Sequence, residues 1–291
     1  MAEILRNLRR RVRSIGNTMQ VTHAMAMVSA AKLRRAQAAL ASARPYAEKI
    51  EALLARVAAS LSDDFVHPLF ARRDEKRVLF VLFTGDRGLC GAFNANIIRQ
   101  AEQFLARWGK DSVGLYCVGK RGRDCFRRHG WTILEQVIDL RGRVDFQATR
   151  RIAAQLQDYY TRSATDAVYL CYNAQISAML ARGRIEKFLP LDPGGMGLKE
   201  TGHVATEYIF EPSREEVFAQ LLPRYCESHI HAVLAESLTA EHSARMSAMN
   251  NASKNCDELI NAITLRMNKA RQAAITKEIS EIMGGAEALK K

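Results

Sequence analysis

From the N-terminus, apolar and small residues recur at a step that alternates three and four: Ile4, Leu8, Val12, Ile15, Met19, Thr22, Ala26, Ser29, Leu33, Ala36 and Leu40. That is the spacing of a coiled-coil seam. Its middle is small, so at Thr22, Ala26 and Ser29 a partner helix can come close. Residues 1–67 hold one glycine, Gly16, and one proline, Pro45, and read as helix with a kink or short break at the proline.

The other end repeats the signal on a larger scale. Between Ser213 and Met283 there is no glycine, and the sole proline is Pro223. A helix of roughly 70 residues runs on the order of 105 Å at about 1.5 Å per residue, more than a globular domain of this size buries. Glu241, Arg245, Asn250, Asn251, Lys254 and Asn255 interrupt any apolar stripe. The clearest apolar steps are Leu259–Ile263–Met267 and Ile275–Ile279–Ile282. Such a helix needs a partner, and the N-terminal seam is the natural one.

Between these ends the period changes. "RVLFVLF" is a short apolar run suited to a strand buried on both faces; "SVGLYCVG" and "DAVYLCYN" are two more, and "HVATEYIF" is a candidate fourth. Helical stretches such as "NANIIRQAEQFLARW" and "FQATRRIAAQLQDYYTR" separate them, and "LPLDPGGMGL" is the clearest loop. Strands alternating with helices predict a small α/β domain with a largely parallel sheet. The expected fold is an antiparallel coiled coil of long N- and C-terminal helices with an inserted small Rossmann-like α/β domain. Its parts are residues 1–67, 68–210 and 211–291.

The formal net charge of +12 favours acidic partners without choosing among nucleic acid, membrane and protein. Charge concentrates at the start, where Arg6, Arg9, Arg10, Arg11, Arg13, Lys32, Arg34 and Arg35 face one acid, Glu3. Of these, Arg9, Arg10, Arg11 and Arg13 surround the helix axis, which suits a helix enclosed by acidic or polar surfaces better than one lying on a membrane. An Arg-rich, acid-poor start also fits a transit peptide, but the helical pattern continues past any plausible cleavage site. The six cysteines show no CxxC or framework spacing and read as small, reduced, mostly buried thiols. No apolar run approaches the roughly 20 residues of a membrane span.

Candidate chemistry is sparse. In "VLFTGDRGLCGAFNANII" an apolar run ends in glycines and a helix follows, as in a nucleotide loop. Yet Gly85 and Gly88 are separated by two residues, not one, and no Lys-Ser/Thr pair follows, so neither the dinucleotide nor the P-loop pattern is met. The glycines are expected to serve a tight strand-to-helix turn, with Asp86 and Arg87 left open as a partner contact. "GKRG" at 119–122 fails in the same way. Cys226, His229 and His231 suggest zinc, but on a helix at about 100° per residue the histidines point apart. Glu241–His242 and Glu215–Glu216 diverge likewise and are expected to be solvated surface. No catalytic, cofactor or metal site is expected.

The segments "GNTMQVTHAMAMVSAAKLRRAQ", "DRGLCGAFN", "EYIFEPSREEVFAQLLPRYCESHIHAVLAES", "EHSARMSAMNNAS" and "TLRMNKARQAAITKEISEIMGGAEAL" resemble the gamma subunit of bacterial F-type ATP synthases. Residues 100–200 carry little of the likeness. The resemblance implies a non-catalytic rotor shaft in the central stalk, coupling ion-driven rotation of the membrane c-ring to ATP synthesis or hydrolysis in a hexamer of alpha and beta subunits. It implies contact with epsilon and a peripheral place on the cytoplasmic face of the inner membrane, with no nucleic acid or small-molecule substrate of its own. By the same resemblance Arg271, Gln272 and Thr276 meet a beta-subunit loop, Met25, Lys32 and Arg35 face an acidic beta loop, and Arg245 matches the Arg of "EHxARM". Asp86, Arg87, Gly88 and Gly91 form a structural or contact loop. Ala26, His23 and Met267 stand where the family commonly has Glu, Lys and an aromatic, which bears on the balance of shaft contacts. The regulatory cysteine pair of chloroplast relatives has no counterpart in "PLDPGGMGLKETGH".

Two other function classes compete. A basic coiled coil that binds nucleic acid would explain the charge, though no recognised motif appears. A nucleotide-dependent enzyme built on the central lobe should bind ATP or NAD in isolation.

Overall fold

The computed structural model describes residues 2–59, 67–140, 142, 144–176, 181–192 and 211–288. In chain order it contains α1 (Ala2–Ala59), β1 (Val78–Phe83), α2 (Phe93–Leu105), β2 (Val113–Val118), α3 (Lys120–Arg128), β3 (Ile133–Val137), α4 (Phe146–Thr161), β4 (Ala167–Gln175), β5 (Ala181–Leu189) and α5 (Arg214–Ala288). The chain divides into two compact units, Met1–Ser29 with Arg245–Lys291, and Ala30–Ala244.

In the first unit the two long helices pair antiparallel through the small seam residues. Thr22, Ala26, Ser29, Met249 and Ile263 are buried, and the Thr22 and Ser253 hydroxyls lie 2.7 Å apart. Ser29 Oγ donates to its own helix at Met25 O, 2.7 Å away, which satisfies this buried polar group within the seam. The seam positions before it, Leu8, Val12, Ile15 and Met19, are half-buried, and Ile4 is exposed.

The second unit is built on a five-stranded sheet of order β3-β2-β1-β4-β5. The first four strands are parallel, and β5 runs antiparallel to β4. All six residues of β1 are buried, as the apolar run predicts for a strand covered on both faces. The period of two divides them. Leu79, Val81 and Phe83 join the cluster containing Ile152, Leu156 and Tyr160 of α4, Ile50, Leu54 and Val57 of α1, and Leu222, Cys226 and Ile230 of α5. Val78, Phe80 and Leu82 join Ile97, Ala101 and Leu105 of α2 and Phe126 of α3 on the other face.

Several expectations are revised. Helix α1 runs unbroken through Pro45. The side chain is exposed, and buried residues on both sides (Leu33 and Ala36 before, Ile50, Leu54 and Val57 after) hold the helix against the one missing amide bond. Strands β3 and β5 and helix α3 carry no clear periodic signal. The two strands lie at the sheet edges, where exposed residues (Leu134 and Gln136 in β3, Arg182 and Arg184 in β5) alternate with half-buried ones, and α3 buries only Gly122 and Phe126. The candidate strand "HVATEYIF" and most of "LPLDPGGMGL" lie outside the described residues.

Candidate partner-binding surfaces

The glycine-rich stretch after β1 sits where the strand order reverses, between β1 and β4. In open α/β sheets that crevice, at the carboxyl ends of the strands, is where ligands bind. Here the chain fills it with its own groups. Glu236 takes a backbone hydrogen bond at Gln175, the end of β4. Glu241, one turn further on α5, lies against Gly85, where an added Cβ would stand 2.9 Å from its Cδ. Cys90 and Phe93 pack on Ala240.

The loop's polar groups are turned inward as well. Asn94 Oδ1 accepts from Gly85 N at 2.8 Å, and its Nδ2 donates to Arg87 O at 3.4 Å. Asp86 Oδ1 accepts from Lys120 N at 3.0 Å, and Thr84 Oγ1 from Gly122 N at 2.9 Å, so two loop residues tie down the first turn of α3. Gly91, at φ 56°, makes the turn into α2. A phosphate placed here would meet the carboxylates of Asp86 and Glu241. The loop is a strand-to-helix turn clasped onto α5, and Arg87 and Leu89 are its exposed side chains. Gly88 lies under the Arg121 guanidinium, 3.0 Å from the position of an added Cβ.

The pair expected as solvated surface, Glu241 and His242, is buried at 7% and 1% exposure. His242 Nε2 lies 3.2 Å from Gly142 O. Sequence periodicity missed this because the burying groups come from distant loops. Glu215 and Glu216 are exposed as expected. Cys226 is within the core, His229 Nε2 meets Glu186 at 2.7 Å, and His231 faces the Phe146 ring, so the three diverge. Burial pushes the Glu186 carboxyl up, but the His229 bond and charge, the Arg184 charge and the Tyr172 hydroxyl together outweigh it and hold the group below its ordinary range. All six cysteines are free. Four are buried, and Cys125 and Cys256 are half-buried.

A cavity of about 630 Å³ is lined by Arg72, Arg73, Arg184 and Lys187 among others. Its cations are already engaged: Arg72 with Asp192, Arg184 with Glu186, Lys187 with Glu75, and Arg73 with the Tyr160 and Thr165 carbonyls. It offers little to an anionic substrate.

The remaining surface residues lie on the long helices. Arg271, Gln272 and Thr276 are exposed on α5, the last two one turn apart on one face. Around them Ile275, Ile279, Ile282 and Met283 are 49%, 52%, 72% and 67% exposed. Of the apolar steps expected to pair, Ile263 alone is buried, whereas Leu259 and the Ile275–Ile279–Ile282 step lack cover from the chain's described residues. Met25 and Arg245 are half-buried, as is Lys32, whose Nζ would lie 3.8 Å from a Cβ on Gly142; Arg35 is exposed. Arg9, Arg10, Arg11 and Arg13 are all exposed. Among the described residues no helix is long and apolar enough to cross a membrane.

A family model described as ATP synthase matches residues 4–289. An ATP synthase gamma chain of Pelotomaculum thermopropionicum is 46% identical over 286 residues, covering 98% of this chain and 99% of the relative. One from Heliobacterium modesticaldum is 44% identical over 290 residues, with 98% and 99% covered. A chain of the Tetrahymena thermophila mitochondrial ATP synthase central stalk/c-ring structure superposes with a TM-score of 0.61 at 26% identity, over 80% of this chain and 99% of that one. A chain of the Euglena gracilis mitochondrial ATP synthase shares the fold at a TM-score of 0.68 and 19% identity, over 99% and 95%. The chain belongs to the ATP synthase gamma-chain family and is a non-catalytic subunit, the catalytic sites of that complex being on the beta subunits.

Proposed function

We propose that this chain is the central-stalk shaft of a rotary ATP synthase. Proton or sodium flow turns a membrane c-ring and the shaft with it. The asymmetric shaft then drives the beta subunits of an alternating alpha/beta hexamer through their nucleotide-binding states, towards synthesis or, in reverse, hydrolysis. One observation carries the reading: the last turns of α5 expose Ile275, Ile279, Ile282 and Met283 beside Arg271 and Gln272. Contiguous exposed apolar residues rimmed by polar ones mark a surface made for a partner.

In this reading residues 1–67 and 211–291 form the shaft, and 68–210 form the lobe that meets epsilon and the c-ring at the cytoplasmic face of the inner membrane. Arg271, Gln272 and Thr276 hydrogen-bond a loop of one beta subunit. Met25, Lys32, Arg35 and Arg245 contribute further contacts to the hexamer. An Arg grips a carboxylate at two points and gives the contact a direction. A rotating shaft must break each such contact every turn, so several weak contacts serve better than one strong one. The inward-turned "DRGLCG" loop leaves Arg87 for a partner, with Asp86, Gly88 and Gly91 holding its shape.

Mixing the purified chain with the alpha and beta subunits of its own organism tests this through co-elution and ATPase rate. One copy per hexamer, and a rate lost in the Arg271→Ala/Gln272→Ala double variant, is the expected result. Assembly with an unchanged rate in that variant would remove the role of Arg271 and Gln272. Failure to assemble would remove the shaft.

A further inference from the structure

Away from the shaft and the loop, Glu102 of α2, Cys125 of α3 and His129 at the end of α3 bring one oxygen, one sulfur and one nitrogen within 4.8 Å of one another. We propose that these three side chains form a surface site for a borderline-soft divalent cation, of which zinc is the best match, clipping α2 to α3.

The geometry is close to what the ion asks. His129 caps the C-terminus of α3 four residues after Cys125, its N–H 3.2 Å from the Cys125 carbonyl, so the two side chains share a face. Cys125 Sγ is 3.9 Å from His129 Nδ1, and that nitrogen is 3.2 Å from Glu102 Oε1. Zinc bonded at ~2.0–2.3 Å in a tetrahedron holds its N, O and S ligands roughly 3.3–3.6 Å apart, so these two edges need shifts of a few tenths of an ångström, and the third, from Glu102 to Cys125 and within 4.8 Å, closes by rotation of the partly exposed Glu102 side chain. The His129 and Glu102 side chains are 56% and 42% exposed, which leaves an entry path and a fourth position for water.

The donor set excludes the hard cations. Calcium and magnesium take oxygen ligands, whereas a thiolate with an imidazole selects zinc or its neighbours. The charge balance needs one proton to leave: the thiol of Cys125 gives its proton to solvent as the sulfur–metal bond forms. The cation therefore competes with that proton. Arg128 lies beside Cys125 and repels the cation, and Lys110 Nζ lies 2.7 Å from the His129 carbonyl. Binding should therefore tighten as pH rises.

Cobalt(II), which reports a thiolate bond by an intense near-ultraviolet charge-transfer band, tests the site on the full-length chain. One cobalt per chain with that band, displaced by zinc, is expected. Cys125→Ser should abolish the band. His129→Ala and Glu102→Gln should each weaken binding by at least the ~10–100-fold that loss of an outer-shell partner costs. Cys256→Ser, at the other half-buried cysteine, should change nothing. Circular dichroism of each variant separates loss of a ligand from loss of fold, and His129, being exposed, can be removed without disturbing a core. Absence of the band in the unaltered chain would overturn the proposal, as would a band that survives Cys125→Ser. Unchanged affinity in both His129→Ala and Glu102→Gln would reduce the site to a lone thiol and overturn it too.

Discussion

The turn between β2 and α3 gives the sharpest test of how the lobe is held together. Gly119 sits there at φ 101°, and a Cβ added to it would lie 2.0 Å from the carbonyl oxygen of Thr84 and 2.6 Å from its carbon. Both atoms are backbone, so no side chain can swing aside. Gly119→Ala must therefore either hold a conformation that costs an L-residue roughly 1–3 kcal/mol or move the strand end. Moving it strains the bonds that register three strands, Thr84 N to Val118 O and Gly119 N to Val137 O, both 2.8 Å. Overpacking of this kind costs ~1–3 kcal/mol by itself. A total loss of about 3 kcal/mol is expected.

The assay follows from the tryptophans. Trp108 and Trp131 are the only two in the chain, and both pack against the α2/α3 side of the sheet. Their fluorescence in a urea titration reports the lobe. With a slope of about 2.5 kcal/mol per molar urea, the loss should lower the midpoint by about 1 M. Gly109→Ala is the matched control. It has φ −68° and only Ser112 Oγ at 3.7 Å from the new methyl, so its midpoint should stay or rise slightly. Equal midpoints for Gly119→Ala and the native chain would refute the argument that Thr84 and Gly119 need this close approach.

Three further outcomes are expected. Gly16→Ala, in mid-helix with nothing within 4 Å of the new methyl, should raise thermal stability of α1 by about 0.5–1 kcal/mol, read by far-ultraviolet circular dichroism. Leu54→Ala removes a fully buried side chain from the cluster joining α1, α5 and the sheet and should cost about 2–5 kcal/mol in the same urea titration. Asp166, its side chain 10% exposed, accepts from Arg77 N at 2.8 Å and from the Arg77 guanidinium at 3.2 Å. Burial pushes its carboxyl up, but the Arg77 bonds outweigh it, so the folded-state pKa is lowered. Its stabilisation is then complete above the unfolded value of about 3.9 and fades as pH falls through the folded one. Asp166→Asn should cost about 1–2 kcal/mol at neutral pH, and the gap from the native chain should close in acid.

What could be read in the sequence follows from what each signal depends on. β1 was visible because both its faces are covered, which demands an unbroken apolar run. β3 and β5 were invisible because an edge strand needs few apolar residues, and Glu135, Arg182, Arg184 and Lys187 dilute their pattern. The seam of α1 was visible because its spacing is local. The burial of Glu241 and His242 was not, since it depends on Gly85 and Gly142, each at least 100 residues away in the chain. Failure of the loop to match a phosphate motif was legible from spacing alone. What replaces the phosphate, a carboxylate of α5, was not.

Burial along α5 then separates the part that serves the fold from the part that does not. From Phe218 to Ser243 the helix contributes Leu222, Cys226, Ile230, Val233, Leu234 and Leu238 to the core, and even its polar Thr239, Glu241 and His242 are covered. From Arg271 to Gly285 every described residue is exposed except Ala274, which is half-buried. Helix propensity cannot account for that second stretch. Exposed apolar side chains gain nothing in water, and fully burying one isoleucine is worth ~1.5–3 kcal/mol. Ile275, Ile279 and Ile282 thus forgo several such gains in the isolated chain. On the function proposed above, three isoleucines at helical spacing beside Arg271 and Gln272 would meet a surface apolar enough to take the isoleucines and polar enough to meet the arginine. A shaft bearing on its housing would need that: contact wide enough to centre it, with no single interaction strong enough to stop it.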